Sequence, residues 1–156
     1  MKKAGHLFFA AVLIMGLLLC TACGDRRAAQ DGALYKIYYV NNEETKIVER
    51  EYVSGTTDSE LLFAEFLEQL AHISEKMEYE TLLDKEISVV GHTLDNGLLT
   101  LDFDESYHNL RGTREILVRA SIVRTMTQLP GVERIAFTVM GEQLMDASGA
   151  AVGVMA

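Results

Sequence analysis

Residues 113–141 read TREILVRASIVRTMTQLPGVERIAFTVMG. On a helical wheel Ile116, Ala120, Val123 and Thr127 line one side, and Val118, Ile122, Met126 and Leu129 widen the apolar arc. Arg114, Ser121, Thr125 and Gln128 form a polar stripe. Thr113 has the chemistry of an N-cap, and Glu115 lies near the positive end of the helix dipole. Pro130 cannot continue the helix and Gly131 frees the turn. After so short a connection the next strand has to run back along the helix. In that strand Ile135, Phe137 and Val139 alternate inward, with Arg134, Ala136, Thr138 and Met140 on the other face, and Gly141 turns the chain.

Upstream, residues 87–94 and 98–103 flank Asp95-Asn96-Gly97. Asn-Gly between alternating apolar runs signals a two-residue hairpin, because both central positions need positive φ. The implied register sets Leu94 opposite Leu99, His92 opposite Leu101 and Val90 opposite Phe103. His92 then falls on an apolar face, as a core histidine with one satisfied nitrogen. Further back, Thr57 and Glu60 have capping-box spacing. Leu61, Leu62, Phe63, Phe66, Leu67 and Leu70 follow on one helical arc. Residues 72–85 either extend that helix or form a loop carrying a helical turn. LYKIYYV (34–40) and TKIVEREYV (45–53) read as strands joined by a turn at 41–44. Lys46, Glu49, Arg50 and Glu51 mark the second as an edge strand with a solvated face. The tail from Ala147 to Ala156 is small, Gly-rich and weakly specified.

The first residues have a different logic. Lys2 and Lys3 precede an unbroken apolar run of 13 residues, Leu7 to Leu19, and small residues follow. This is the pattern of a secretory signal, and it is shorter than the roughly 20 residues of a membrane span. The alternative is an uncleaved anchor helix. Thr21-Ala22-Cys23 resembles a bacterial lipobox, with Cys20 where leucine is usual. In that pattern residues 1–22 are a lipoprotein signal peptide, Cys23 is the lipidated N-terminus and residues 23–33 are a tether. Residues 34–156 then form a single domain, anchored outside the cytoplasm by acyl chains worth about 0.8 kcal/mol per buried methylene. Cys20 and Cys23 are the only 2 cysteines, so the domain has neither a disulfide nor a thiol-based metal site. Against 23 acidic side chains stand 14 basic ones, a poor balance for binding nucleic acid.

Candidate chemistry is sparse. Asp102, Asp104, Glu105 and His108 cluster at a strand end. They offer a cation site or an acid–base site, or else a solvated loop, and their spacing fits no EF-hand or zinc motif. No nucleophile motif and no phosphate-binding glycine loop is present. Arg119 falls inside the apolar arc. An unpaired buried guanidinium costs several kcal/mol, so a local structural pair, with Asp102 or Asp104, is expected, with snorkelling to the helix rim or a partner surface as the alternatives.

These pieces in sequence resemble a known family. The lipobox, LYKIYYV, the Leu-rich helix, LDNGLLTLDFD, IVRTMTQ and LPGVERIAFTV, with a terminal Gly-x-x-Val-Gly, are similar to the GerMN domain of GerM-type sporulation and germination lipoproteins. The most specific part is T-x-x-Q-L-P-G-V-x-x-I-x-F-x-V-x-G, Thr125 to Gly141. Residues 71–86 lack the prolines common in that family, and only one copy is present. The resemblance implies a small α+β domain of β-β-α-β-β-α-β order, with a mixed or antiparallel sheet and two helices on one face, akin to a ring-building motif. It also implies an interaction or scaffold role in the cell envelope, with a protein partner or self-association, and neither cofactor nor catalysis. The alternative is an envelope enzyme, or a cation- or solute-binding lipoprotein, using the Asp102–His108 cluster.

Overall fold

The computed structural model of the chain describes residues 32–71, 79, 80, 83 and 87–156. The expected signal peptide, Cys23 and nearly all of the expected tether lie outside the described residues, as does most of the 72–85 stretch. The domain is α+β. Its elements are β1 (Ala33–Asn41), β2 (Ile47–Ser54), α1 (Ser59–Ala71), β3 (Tyr79–Glu80), β4 (Val89–Asp95), β5 (Leu98–Phe103), α2 (Gly112–Met126), β6 (Arg134–Val139) and β7 (Glu142–Gln143). A short 3-10 helix, Glu105–Asn109, lies between β5 and α2. The strands divide into a three-stranded sheet, β2-β1-β3, and a four-stranded sheet, β4-β5-β6-β7. None of the helices among the described residues is long and apolar enough to cross a membrane.

The β4–β5 hairpin turns at Asn96 and Gly97, with φ of 47° and 77°. Both central residues are left-handed, as a two-residue turn with the sheet's twist requires. Leu94 pairs with Leu99 and His92 with Leu101, but Val89, not Val90, pairs with Phe103. A bulge between Val89 and Gly91 takes up one residue, which periodicity alone cannot register. Val90 is consequently 58% exposed.

From β5 the chain crosses over through α2 to β6, which pairs with β5 in parallel, Leu98 opposite Arg134 through Phe103 opposite Val139. Leu99, Leu101 and Phe103 of β5 and Ile135, Phe137 and Val139 of β6 are all buried on the same face. Burying each such side chain stabilises the fold by about 1.5–3 kcal/mol. Pro130 and Gly131 end α2 in a turn closed by Val132 N–H donating to Leu129 O at 3.1 Å, and Gly131 takes a φ of 81°. The tail is placed: Ile135 and Met155 exchange backbone hydrogen bonds of 2.8 and 2.9 Å, and Val152 N–H donates to Leu144 O at 2.7 Å.

The helix starts differ from expectation. Asp58, not Thr57, caps α1: its Oδ1 accepts the N–H groups of Glu60 and Leu61, each at 3.0 Å. Thr57 sits one residue too early to reach them. Helix α2 starts at Gly112, with Arg111 in the cap position and no side-chain cap, so Thr113 lies inside the first turn. Leu61 and Ile116, assigned to apolar arcs, are 59% and 58% exposed.

Strand β1 is central in its sheet, yet β3 covers its outer edge only at Val40 and Asn41. The C-terminal end of α2 and the residues just after it cover that edge at Lys36 and Tyr38. Gln128 Oε1 accepts Lys36 N–H at 2.9 Å, and its Nε2 donates to Lys36 O at 2.6 Å. Thr125 Oγ1 accepts Tyr38 N–H at 3.1 Å. The Gln128 carboxamide therefore stands in for a peptide group of a missing strand. The polar stripe is not a solvated face: Ser121 and Thr125 are both fully buried.

Candidate functional site

The acidic cluster is split: Asp104, Glu105 and His108 line one depression, and Asp102 is directed elsewhere. Asp102 turns toward the β6–β7 turn, where its Oδ1 accepts Thr138 Oγ–H at 2.7 Å and Gly141 N–H at 2.8 Å. That turn has Met140 and Gly141 at φ of 52° and 79°, so Asp102 ties a second left-handed pair to β5. Asp104 turns the other way and accepts Ser88 Oγ–H at 2.6 Å, with Ser106 bonded to its other oxygen. The hydrogen bonds from Ser106 and Ser88 hold its carboxyl below the usual aspartate range. Glu105 and His108 are exposed on the rim of a shallow depression that also contains Asp104 and Asn109. Among the described residues no set of three His, Cys, Asp or Glu side chains could hold a metal ion.

Arg119 pairs with Glu115 one helical turn earlier, Nε to Oε1 at 2.8 Å, and not with Asp102 or Asp104. Both side chains are largely buried, 12% and 18% exposed. Tyr107 completes the group, donating its hydroxyl to Glu115 Oε1 at 3.1 Å. Burial, then the Glu115 charge, pushes the Tyr107 phenol far up from its ordinary value. Tyr107 and Leu110 are buried within a loop that reads as polar. The available sequence signal was the spacing Phe103-x₃-Tyr107-x₂-Leu110, in which Tyr107 packs on the Phe103 ring at 4.8 Å between centroids.

His92 is not a core residue. Its ring lies on Phe63 at 4.0 Å between centroids, and its Nε2 is 3.3 Å from Glu60 Oε2. Its side chain is one-third exposed because β4 is the edge strand of its sheet. Phe63, His92, Leu94, Leu129 and Pro130 line a small apolar depression with Glu60 at its rim. A second depression, with Leu67, Glu68, Ile87 and Val89, lies further along α1. The Ser88 and Ser106 hydroxyls do bond to Asp104, but those bonds lower the carboxyl pKa and make it a weaker base. The Arg119–Glu115 charges are engaged in packing the fold, and the apolar depressions lie along α1 and β4.

Residues 36–145 match the family described as Germane: sporulation and spore germination. The chain belongs to this family. The Germane match runs from within β1 to just past β7, and so includes Thr125 and Gln128. Among solved structures, the first GerMN domain of the sporulation protein GerM from Bacillus subtilis superposes with a TM-score of 0.61 at 16% identity, covering 78% of this chain and 94% of that one. The tandem GerMN domains of the same protein superpose with a TM-score of 0.58 at 23% identity, covering 83% of this chain and 46% of the tandem. The chain thus spans about half of the tandem structure. At these identities the likeness establishes the fold. No curated protein sequence matches the chain. The Germane description names sporulation and germination, not a catalytic activity.

Proposed function

We propose that this Germane chain is a lipid-anchored extracytoplasmic protein whose single domain serves as an interaction scaffold in the cell envelope during sporulation or spore germination. The Germane match over residues 36–145 carries the reading. Two observations support it. The lipobox-like Thr21-Ala22-Cys23 stands only ten residues ahead of β1. The polar groups Asp102, Asp104, Glu115 and Arg119 are all engaged by structural partners. This arrangement favours a scaffold over the envelope enzyme or cation-binding alternative. The test compares wild type with Cys23→Ala by metabolic fatty-acid labelling, membrane fractionation and crosslinking in intact cells. Label and membrane retention should be lost with Cys23, together with the crosslinked species. Equal label in both proteins would refute the anchor, and loss of phenotype on joint substitution of Asp104 and His108, with the fold intact, would favour chemistry or a ligand site.

A further inference from the structure

The domain protects its strand edges unevenly. Helix α2 covers β1 through Thr125 and Gln128. Strand β2 carries Glu49, Arg50 and Glu51 along its length, charges that discourage another strand from adding. The outer edge of β6 is taken by β7 and by Met155. Among the described residues strand β4 has none of these devices. From Val90 to Leu94 it reads VGHTL, without lysine, proline or carboxylate, and its single bulge lies at the far end.

The register fixes what this edge presents. In a two-residue hairpin the pair beside the turn, here Asp95 with Leu98, exchanges hydrogen bonds, and alternate pairs do not. His92 and Leu94 are therefore non-bonded pairs, and their N–H and C=O groups point away from β5. Leu94 is 47% exposed beside the depression lined by Phe63, Leu129 and Pro130. An added strand would bring alternate side chains to that depression and to the one at Leu67 and Val89.

The charges around the edge choose the occupant. Helix α1 contains Glu60, Glu65 and Glu68 and no basic residue. Glu60 and Glu68 rim the two depressions, and Asp95 is exposed at the end of the strand. A second copy adding at β4 would bring α1 carboxylates against α1 carboxylates. An extended segment carrying lysine or arginine would meet them with opposite charge.

We propose that the outer edge of β4, unpaired among the described residues, is with the acidic flank of α1 a docking site for an extended basic and apolar segment of a partner protein, added as a fifth strand. This deepens the scaffold reading by naming its surface, and rests on that reading only for its biological setting. The probe is a ten-residue fluorescent peptide alternating lysine with valine and threonine, added to the full chain in detergent at low salt. Binding is read by anisotropy, and its location by amide hydrogen exchange. Controls are the same peptide with glutamate for lysine, and one with alternate backbone amides methylated. Saturable binding of the lysine peptide is expected, with slowed exchange confined to β4. Both controls should fail to bind. Glu60→Lys with Glu68→Lys should weaken binding roughly tenfold at low salt. Val90→Lys, a surface change that leaves the ladder intact, should weaken it as well. Binding of the glutamate or methylated peptide, protection elsewhere than β4, or no saturable binding would each overturn the proposal. Those outcomes would leave the membrane-labelling test of the scaffold reading untouched.

Discussion

Replacing Thr125 with valine keeps the side chain's shape and removes one acceptor. Thr125 is fully buried, and its hydroxyl oxygen is the partner of Tyr38 N–H at 3.1 Å. A buried donor left unsatisfied costs about 1–3 kcal/mol. At roughly 4 °C per kcal/mol for a domain of this size, Thr125→Val should lower the melting temperature by about 4–12 °C. Gln128→Ala removes two hydrogen bonds to Lys36 rather than one, yet should cost less, about 1 kcal/mol. Gln128 and Lys36 lie at the surface, where water can replace the carboxamide. Thr127→Val is the control on the same helix. Its hydroxyl donates to Val123 O at 2.9 Å, a carbonyl that already accepts Thr127 N–H. That change should stay within about 0.5 kcal/mol. Calorimetry on the three variants gives the order, and amide exchange at Tyr38 gives the site. If Thr125→Val melts with wild type, or if Gln128→Ala is the more costly change, the edge-cover argument fails.

Tyr107→Phe removes the hydroxyl held by Glu115 and should destabilise the protein by about 1–2 kcal/mol at neutral pH in urea unfolding. The raised Tyr107 pKa also sets a sign: above pH of about 10 the unfolded chain releases a proton that the folded chain keeps, so stability falls as pH rises. Tyr107→Phe should therefore show a shallower alkaline loss than wild type in melts from pH 9 to 11. Asp104→Asn should lower stability at pH 7, and the gap from wild type should close as pH falls through the depressed carboxyl pKa, because protonation then releases the same Ser106 and Ser88 bonds. Gly97→Ala forces a side chain into φ of 77° and brings its Cβ to 3.0 Å from Glu133 Cδ, so a loss of about 1–2 kcal/mol is expected in thermal melts.

The strongly periodic parts of the fold were legible. The Asn96-Gly97 turn, the Pro130-Gly131 stop and the inward alternation of Ile135, Phe137 and Val139 all follow from local steric rules. What stayed hidden depended on contacts distant in sequence. Ser121 and Thr125 read only as part of a polar stripe, because nothing local says that an uncovered strand edge lies opposite. The bulge at Val89 and Gly91 displaced one pairing because alternation carries no marker for an inserted residue. Arg119 is expected to pair with Asp102 or Asp104, and its partner is instead Glu115, one turn earlier on the same helix. The open β4 edge was legible in part: its uncharged residues are visible, but its position at the end of a sheet is not.

Helix α2 belongs to both sheets at once. It hydrogen-bonds β1 in one and continues through a short turn into β6 of the other. Releasing either sheet would strip partners from the same helix, so neither has a free energy of opening that is its own. Sheets that share no backbone ladder should therefore exchange their deepest amides at one common rate. The domain would melt in a single step, with calorimetric and van't Hoff enthalpies in agreement.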